Sequence, residues 1–148
     1  MNSYHINIAG VERELKLCRI SDNLYIAAFI MFGDVELTEA CAKKLLEMAP
    51  EYDYMLTAEA KSIPLIYEMA RQAGKNKYFV ARKSPKLYMP DPIVADVKSI
   101  TTEREQRLYL GRDDADLMRG KRIVIVDDVI STGESLKALE KIVEAAGG

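Results

Sequence analysis

The densest run of chemistry-bearing residues is Ile123-Val124-Ile125-Val126-Asp127-Asp128-Val129-Ile130-Ser131-Thr132-Gly133-Glu134-Ser135. Its four leading β-branched residues predict a strand buried on both faces, as in a parallel sheet covered by helices. Asp127 and Asp128 follow at the carboxyl end, then a small, hydroxyl-rich turn that opens into a helical pattern. Open α/β sheets bind ligands at such strand ends. Backbone N–H groups of the loop and helix start suit a phosphate. The two acids suit sugar hydroxyls, or a metal ion reached through its waters. Asp-Asp alone reads better as a solvated strand end, and Ser-Thr-Gly alone as a capped turn. The whole string carries the ligand-binding reading, because each residue class in it has a separate task.

A second strand-to-helix junction is Thr57-Ala58-Glu59-Ala60-Lys61-Ser62. Small residues and one cation at a helix start suit an anion such as pyrophosphate. Alone this reads as a loop with an exposed lysine. Beside the Asp-Asp loop it suggests two anion sites at neighbouring strand ends, matching a ligand phosphorylated at both ends.

Other chemistries find little support. Gly74-Lys75-Asn76-Lys77 lacks the glycine spacing of a nucleotide-phosphate loop. His5 is the single histidine and stands apart from any cluster of zinc-type ligands. Cys18 and Cys41 are far apart and read as reduced structural thiols. A net charge of −2 argues against non-specific nucleic-acid binding. The amino terminus is not built like a signal peptide, and no apolar run has the length of a membrane span. A cytoplasmic location, with neither nucleic acid nor membrane as partner, is the expectation. At 148 residues the chain is expected to form a single domain without a metal or disulfide staple.

The positioning elements follow from periodicity. Residues 4–9 and 12–20 alternate as two strands around a turn at Ala9-Gly10, with Leu15, Leu17 and Ile20 as inward candidates. Residues 23–32 read as a further strand, and 36–48 as a helix with Leu37, Cys41, Leu45 and Met48 on one face. Residues 53–57 and 77–82 are strands. Between them Ser62 is an N-cap, Pro64 sits in the first turn, and Ile63, Ile66, Tyr67, Ala70 and Ala73 line a helix closed by Gly74. Residues 83–92 are a loop, 93–100 and 107–111 the arms of a hairpin, and 112–121 a charged linker. After the strand at 121–126, a helix carries Leu136, Leu139, Ile142, Val143 and Ala146, capped by Gly147-Gly148. The class is α/β, a mostly parallel sheet flanked by helices with right-handed crossovers, an N-terminal antiparallel hairpin and a β-hairpin near residue 100.

The Asp-Asp string resembles the phosphoribosyl-pyrophosphate (PRPP) motif of type I phosphoribosyltransferases. The likeness to the purine branch (adenine and xanthine phosphoribosyltransferases) runs from Tyr54 to Gly148. Glu59-Ala60-Lys61-Ser62 looks like the pyrophosphate loop, with Lys61-Ser62 where adenine enzymes usually have Arg-Gly. Ala60-Lys61-Ser62-Ile63-Pro64-Leu65 is similar to the matching segment of xanthine enzymes and purine-operon repressors. Phe79-Val80-Ala81-Arg82-Lys83-Ser84-Pro85-Lys86 resembles the basic strand end that meets pyrophosphate. Ser99-Ile100-Thr101-Thr102-Glu103 resembles the lid over the active site. The resemblance implies a hood at residues 1–50, together with the first helix, and a PRPP-binding core at 51–148, whose carboxyl end is read either as a truncation or as a natural fragment with a reduced sheet. It implies a non-proline cis peptide near Ala60-Lys61, a homodimer, Mg²⁺ bound mainly through PRPP, and transfer of ribose 5-phosphate to a purine in purine salvage. Adenine is the expected base, with xanthine or guanine as alternatives. A PRPP-sensing regulator or an inactive binding protein is the non-enzymatic alternative.

By that likeness Asp127, Asp128 and Glu103 are the catalytic candidates. Ser131, Thr132, Gly133, Glu134 and Ser135 would hold the 5-phosphate. Ala60, Lys61, Ser62, Arg82, Lys83 and Lys86 would hold pyrophosphate, and the lid at 98–106 would exclude water. The first third lacks the Phe-Arg-Asp segment that adenine enzymes use near the base.

Overall fold

Strand β4 (Tyr54–Ala58) is the centre of the molecule, because its side chains are buried on both faces of a sheet. In a strand, successive side chains point to opposite faces. Met55 accordingly joins one apolar cluster and Leu56 the other. β4 pairs in parallel with β5 (Phe79–Ala81) on one side and β8 (Ile123–Ile125) on the other, with Leu56 opposite both Phe79 and Ile125. A computed structural model describes residues 3–97, 106–130 and 133–148 of the chain.

Helices cover both faces of this parallel sheet. On one lie α1 (Val35–Met48) and α2 (Ile63–Gln72), which bury Leu37, Cys41, Leu65, Ile66 and Met69 against Met55 and Val126. On the other lies α4 (Glu134–Ala146), packed with α3 (Arg112–Met118) and the antiparallel hairpin β6 (Ile93–Val97) and β7 (Gln106–Leu110). Reciprocal backbone hydrogen bonds of 2.8 Å between Arg82 and Tyr109 fasten that hairpin to the end of β5. These features match the expected α/β class with its parallel sheet and β-hairpin.

The N-terminal unit is a separate antiparallel sheet of β1 (Ser3–Ile8), β2 (Val11–Ser21) and β3 (Leu24–Ala28), in that order. Ala9 and Gly10 form the expected turn, both at positive φ (52° and 83°), which suits the right-handed twist of a tight hairpin. The sheet is tied to α1 through Arg13, whose guanidinium grips Asp34 at 2.7 Å. Asp34 in turn caps α1 by accepting the Leu37 N–H at 3.1 Å.

Four local expectations are corrected. Ile20 is 59% exposed rather than inward, because the β2–β3 register slips between Arg19 and Ser21 and leaves Ile20 unpaired. The strand expected over 23–32 ends at Ala28, since Asp34 N–H reaches back to the Met31 carbonyl in a turn at Gly33. Helix α2 turns Leu65, Ile66, Met69 and Ala70 inward and leaves Tyr67 exposed. The charged segment 112–121 contains a helix, because Ala115 and Met118, three apart, both bury against α4 and the hairpin cluster.

Candidate active site

All three parallel strands end on the same edge of the sheet, so the loops after β4, β5 and β8 converge there. The β8 chain continues alongside β4 past its last ladder pair. Val126 N–H donates to the Leu56 carbonyl at 2.9 Å. The buried Thr57 hydroxyl donates to the Val126 carbonyl at 2.6 Å. These two bonds hold Asp127 and Asp128 beside the loop 59–62.

That loop is braced from the other side by its own acid. Glu59 N–H donates to the Ala81 carbonyl at 2.9 Å. Its carboxylate accepts the Lys83 N–H at 3.0 Å and Arg82 Nε at 3.1 Å. The Lys83 amide, with Arg82 behind it, holds the Glu59 carboxyl below the usual carboxylate range. Arg82 also donates to the Tyr88 hydroxyl at 2.6 Å. The loop contains a cis peptide at Glu59–Ala60, one bond before the expected position.

Between these loops and the N-terminal sheet opens a cleft of about 590 Å³, the size of a small-molecule site. Asp127 and Asp128 meet Ala60, Lys61, Ser62 and Lys83 there. The cleft is acidic at the β8 end and carries lysines at the β4 and β5 ends. Ser135, one residue into α4, reaches the same space, and Gly133 and Glu134 line a smaller recess beside Asp127. Gly133 precedes α4 at φ 81°, a conformation that glycine adopts without a Cβ clash.

Asp127 has its pKa pushed above the ordinary carboxylate value. Burial is the main cause and a hydrogen bond with the Asp128 carboxyl the next, opposed by the Ser62 hydroxyl. Paired carboxylates of this kind are hard oxygen donors, which Mg²⁺ takes one or two at a time along with a substrate's phosphates. The residues present therefore suit that ion.

Among the expected site residues, Arg82 and Lys86 do not line the cleft. Arg82 is committed to Glu59 and Tyr88, and Lys86 Nζ donates to Ser84 Oγ at 2.9 Å. Ser62 stands at the N-cap position of α2, but its hydroxyl makes no capping bond and turns to the aspartates instead. Ser131, Thr132 and Glu103 lie outside the described residues, as does most of the expected lid at 98–106. The sequence reading did not include the apolar wall formed by Ile26, Ala28, Phe29, Ile30 and Val129. Its one available signal was the run of bulky apolar residues from 29 to 32 that the strand pattern absorbed.

Comparison with known proteins shows the family. The chain is similar to a xanthine phosphoribosyltransferase of Exiguobacterium sp., 30% identical over 117 residues, or 78% of this chain and 51% of that protein. It is 32% identical over 119 residues to an adenine phosphoribosyltransferase of Thermosipho africanus, covering 80% of this chain and 67% of that one. An orotate phosphoribosyltransferase of Methanopyrus kandleri is 27% identical over 151 residues, 87% of this chain and 71% of that one. The chain thus spans about half the length of the first of these relatives and up to 71% of the others. The crystal structure of adenine phosphoribosyltransferase from Thermoanaerobacter pseudethanolicus has the same fold, with a TM-score of 0.73 at 21% identity over 90% of this chain and 77% of that one. A family model described as the phosphoribosyl transferase domain matches residues 36–148. That stretch takes in the loops after β4 and β8, and by it the chain belongs to the phosphoribosyl transferase domain family.

Proposed function

We propose that the chain transfers ribose 5-phosphate from PRPP to a ring nitrogen of a purine, releasing pyrophosphate. The observation that carries this reading is the meeting, in one cleft, of an acidic strand end with a lysine-bearing loop at the next strand end. The lysines suit a pyrophosphate and the aspartates the hydroxyls of the sugar beside it.

The C1–O bond to pyrophosphate breaks with its electron pair leaving on pyrophosphate, and positive charge develops on the ribose. Asp127 and Asp128 hold the ribose hydroxyls and favour that charge. The turn 131–135 holds the 5-phosphate through backbone N–H groups and hydroxyls. Lys61 and Lys83, with backbone N–H groups of residues 60–62, receive the pyrophosphate. Arg82 serves that loop indirectly, by holding Glu59. When bound, Mg²⁺ supplies neutralisation of the departing charge. The base nitrogen closes the new bond to C1 and its proton passes to solvent. We assign a flat heterocycle to the apolar wall of Phe29, Ile30 and Val129, and the family likeness assigns Glu103 to its ring. Orientation in the cleft and exclusion of water supply most of the rate.

Adenine is the first base to test, since the Thermosipho relative carries that name. The xanthine and orotate relatives make a panel necessary. The experiment is pyrophosphate release from Mg·PRPP with adenine, hypoxanthine, guanine, xanthine and orotate in turn. Release with one or more purines is expected. Release with orotate alone would overturn the purine assignment, and binding of Mg·PRPP without release on any base would leave a PRPP-binding protein in place of a transferase.

A further inference from the structure

Ser62 is 2% exposed and sits at the start of α2, where a serine ordinarily caps the helix. Its hydroxyl lies instead 3.1 Å from Asp127 Oδ1 and 3.2 Å from Asp128 Oδ1, and it accepts the Asp128 N–H at 2.9 Å. A serine hydroxyl has one proton to give. That proton is committed to one or other carboxylate, and one lone pair to the Asp128 amide. A phosphate oxygen arriving at Ser62 would have to displace a carboxylate from it. Among the described residues, further bonds to these carboxylates come from their own turn, including Asp128 N–H to Asp127 Oδ1 at 2.8 Å and Val129 N–H to Asp128 Oδ1 at 2.9 Å. Ser62 therefore provides, among the described residues, a side-chain tether from the neighbouring strand's loop to the aspartate pair.

We propose that Ser62 is a positioning residue for the sugar end of the cleft: its hydroxyl fixes Asp127 and Asp128 against the start of α2, and it is not a ligand of pyrophosphate. The proposal rests on reading the cleft as a PRPP site. It separates the loop 59–62 into two tasks. Lys61 and the backbone face the leaving group, while Ser62 links that loop to the acids that hold the ribose.

Calorimetry with the two halves of the ligand tests it. Ribose 5-phosphate and Mg·pyrophosphate are titrated separately into the wild-type chain and Ser62→Ala. Loss of the tether is expected to weaken ribose 5-phosphate about tenfold, the effect of one hydrogen bond to a charged group, and to leave Mg·pyrophosphate within about twofold. Carboxyl ¹³C resonances of Asp127 and Asp128 in the unliganded chain are expected to move in Ser62→Ala. A larger loss for pyrophosphate than for ribose 5-phosphate would overturn the proposal, and so would unmoved resonances. If the wild type binds neither ligand, the PRPP reading falls, and the resonances alone then decide the tether. Should Ser62→Ala fail to fold, Ser62→Cys replaces it, because a thiol keeps the volume and is a weak donor.

Discussion

Asp127 is held by two opposed demands: the proposed function asks it to face the cleft as a carboxylate, yet burial and the Asp128 carboxyl favour its protonated form. A folded-state pKa raised above the unfolded value means that the folded chain binds a proton more tightly. The corresponding stability is fully present below the unfolded pKa and is lost as pH rises through the folded one. Asp127→Asn is therefore expected to raise Tm at about pH 8, with the gain vanishing toward about pH 4, while it weakens Mg·PRPP binding. Thermal melts at the two pH values, with calorimetry beside them, check this. Asp128→Asn is a different substitution in kind. The amide keeps an oxygen at the position that accepts the Val129 N–H, so Tm should stay within about 2 °C. Pyrophosphate release should fall on the order of 100-fold, because the charge opposite the developing cation is gone. Equal turnover in the two proteins would count against a role for Asp128 in catalysis.

At the scale of elements, α1 depends on one side chain from the segment before it. Asp34 caps the helix and pairs with Arg13 of β2. Arg13 first, then the Leu37 N–H, hold the Asp34 carboxyl below its ordinary value. A depressed carboxylate contributes stability that is present above the unfolded pKa and is lost as pH falls through the folded one. Asp34→Ala should cost about 1–2 kcal/mol at neutral pH, the usual worth of such a cap. In urea titrations the difference from wild type should shrink as pH falls below about 3.9. The same residue joins the antiparallel sheet to the core, so the substitution should also loosen the wall of the cleft and raise the KM for the base.

At the scale of the whole molecule, the N-terminal antiparallel sheet faces the edge of the parallel one, and the cleft lies where they meet. A ligand seated there contacts both units and binds only the folded chain. At about 100 times its Kd, Mg·PRPP should add about 2.7 kcal/mol, a rise in Tm of roughly 5–10 °C for a chain of this size. Differential scanning fluorimetry with PRPP, with and without Mg²⁺, reads this directly. No shift with either would sink the proposed ligand.

Much of this was legible in local pattern. The strand–loop–helix order around Asp127 and around Lys61, the positive-φ turn at Ala9-Gly10 and the α/β class follow from β-branched runs, helical spacing and turn residues, which act within a few positions of chain. Choices of partner across long separations were not legible. That Arg82 pairs with Glu59, that Ser62 grips an acid 65 positions later rather than capping its helix, and that the segment 112–118 buries Ala115 and Met118 rather than solvating throughout were decided by tertiary contact. So was the placement of Phe29 and Ile30 against the cleft. The physical reason is common to all four: a short segment's periodicity sets its own backbone, whereas the burial and hydrogen-bond partner of a side chain depend on what the rest of the fold brings within about 3–4 Å of it.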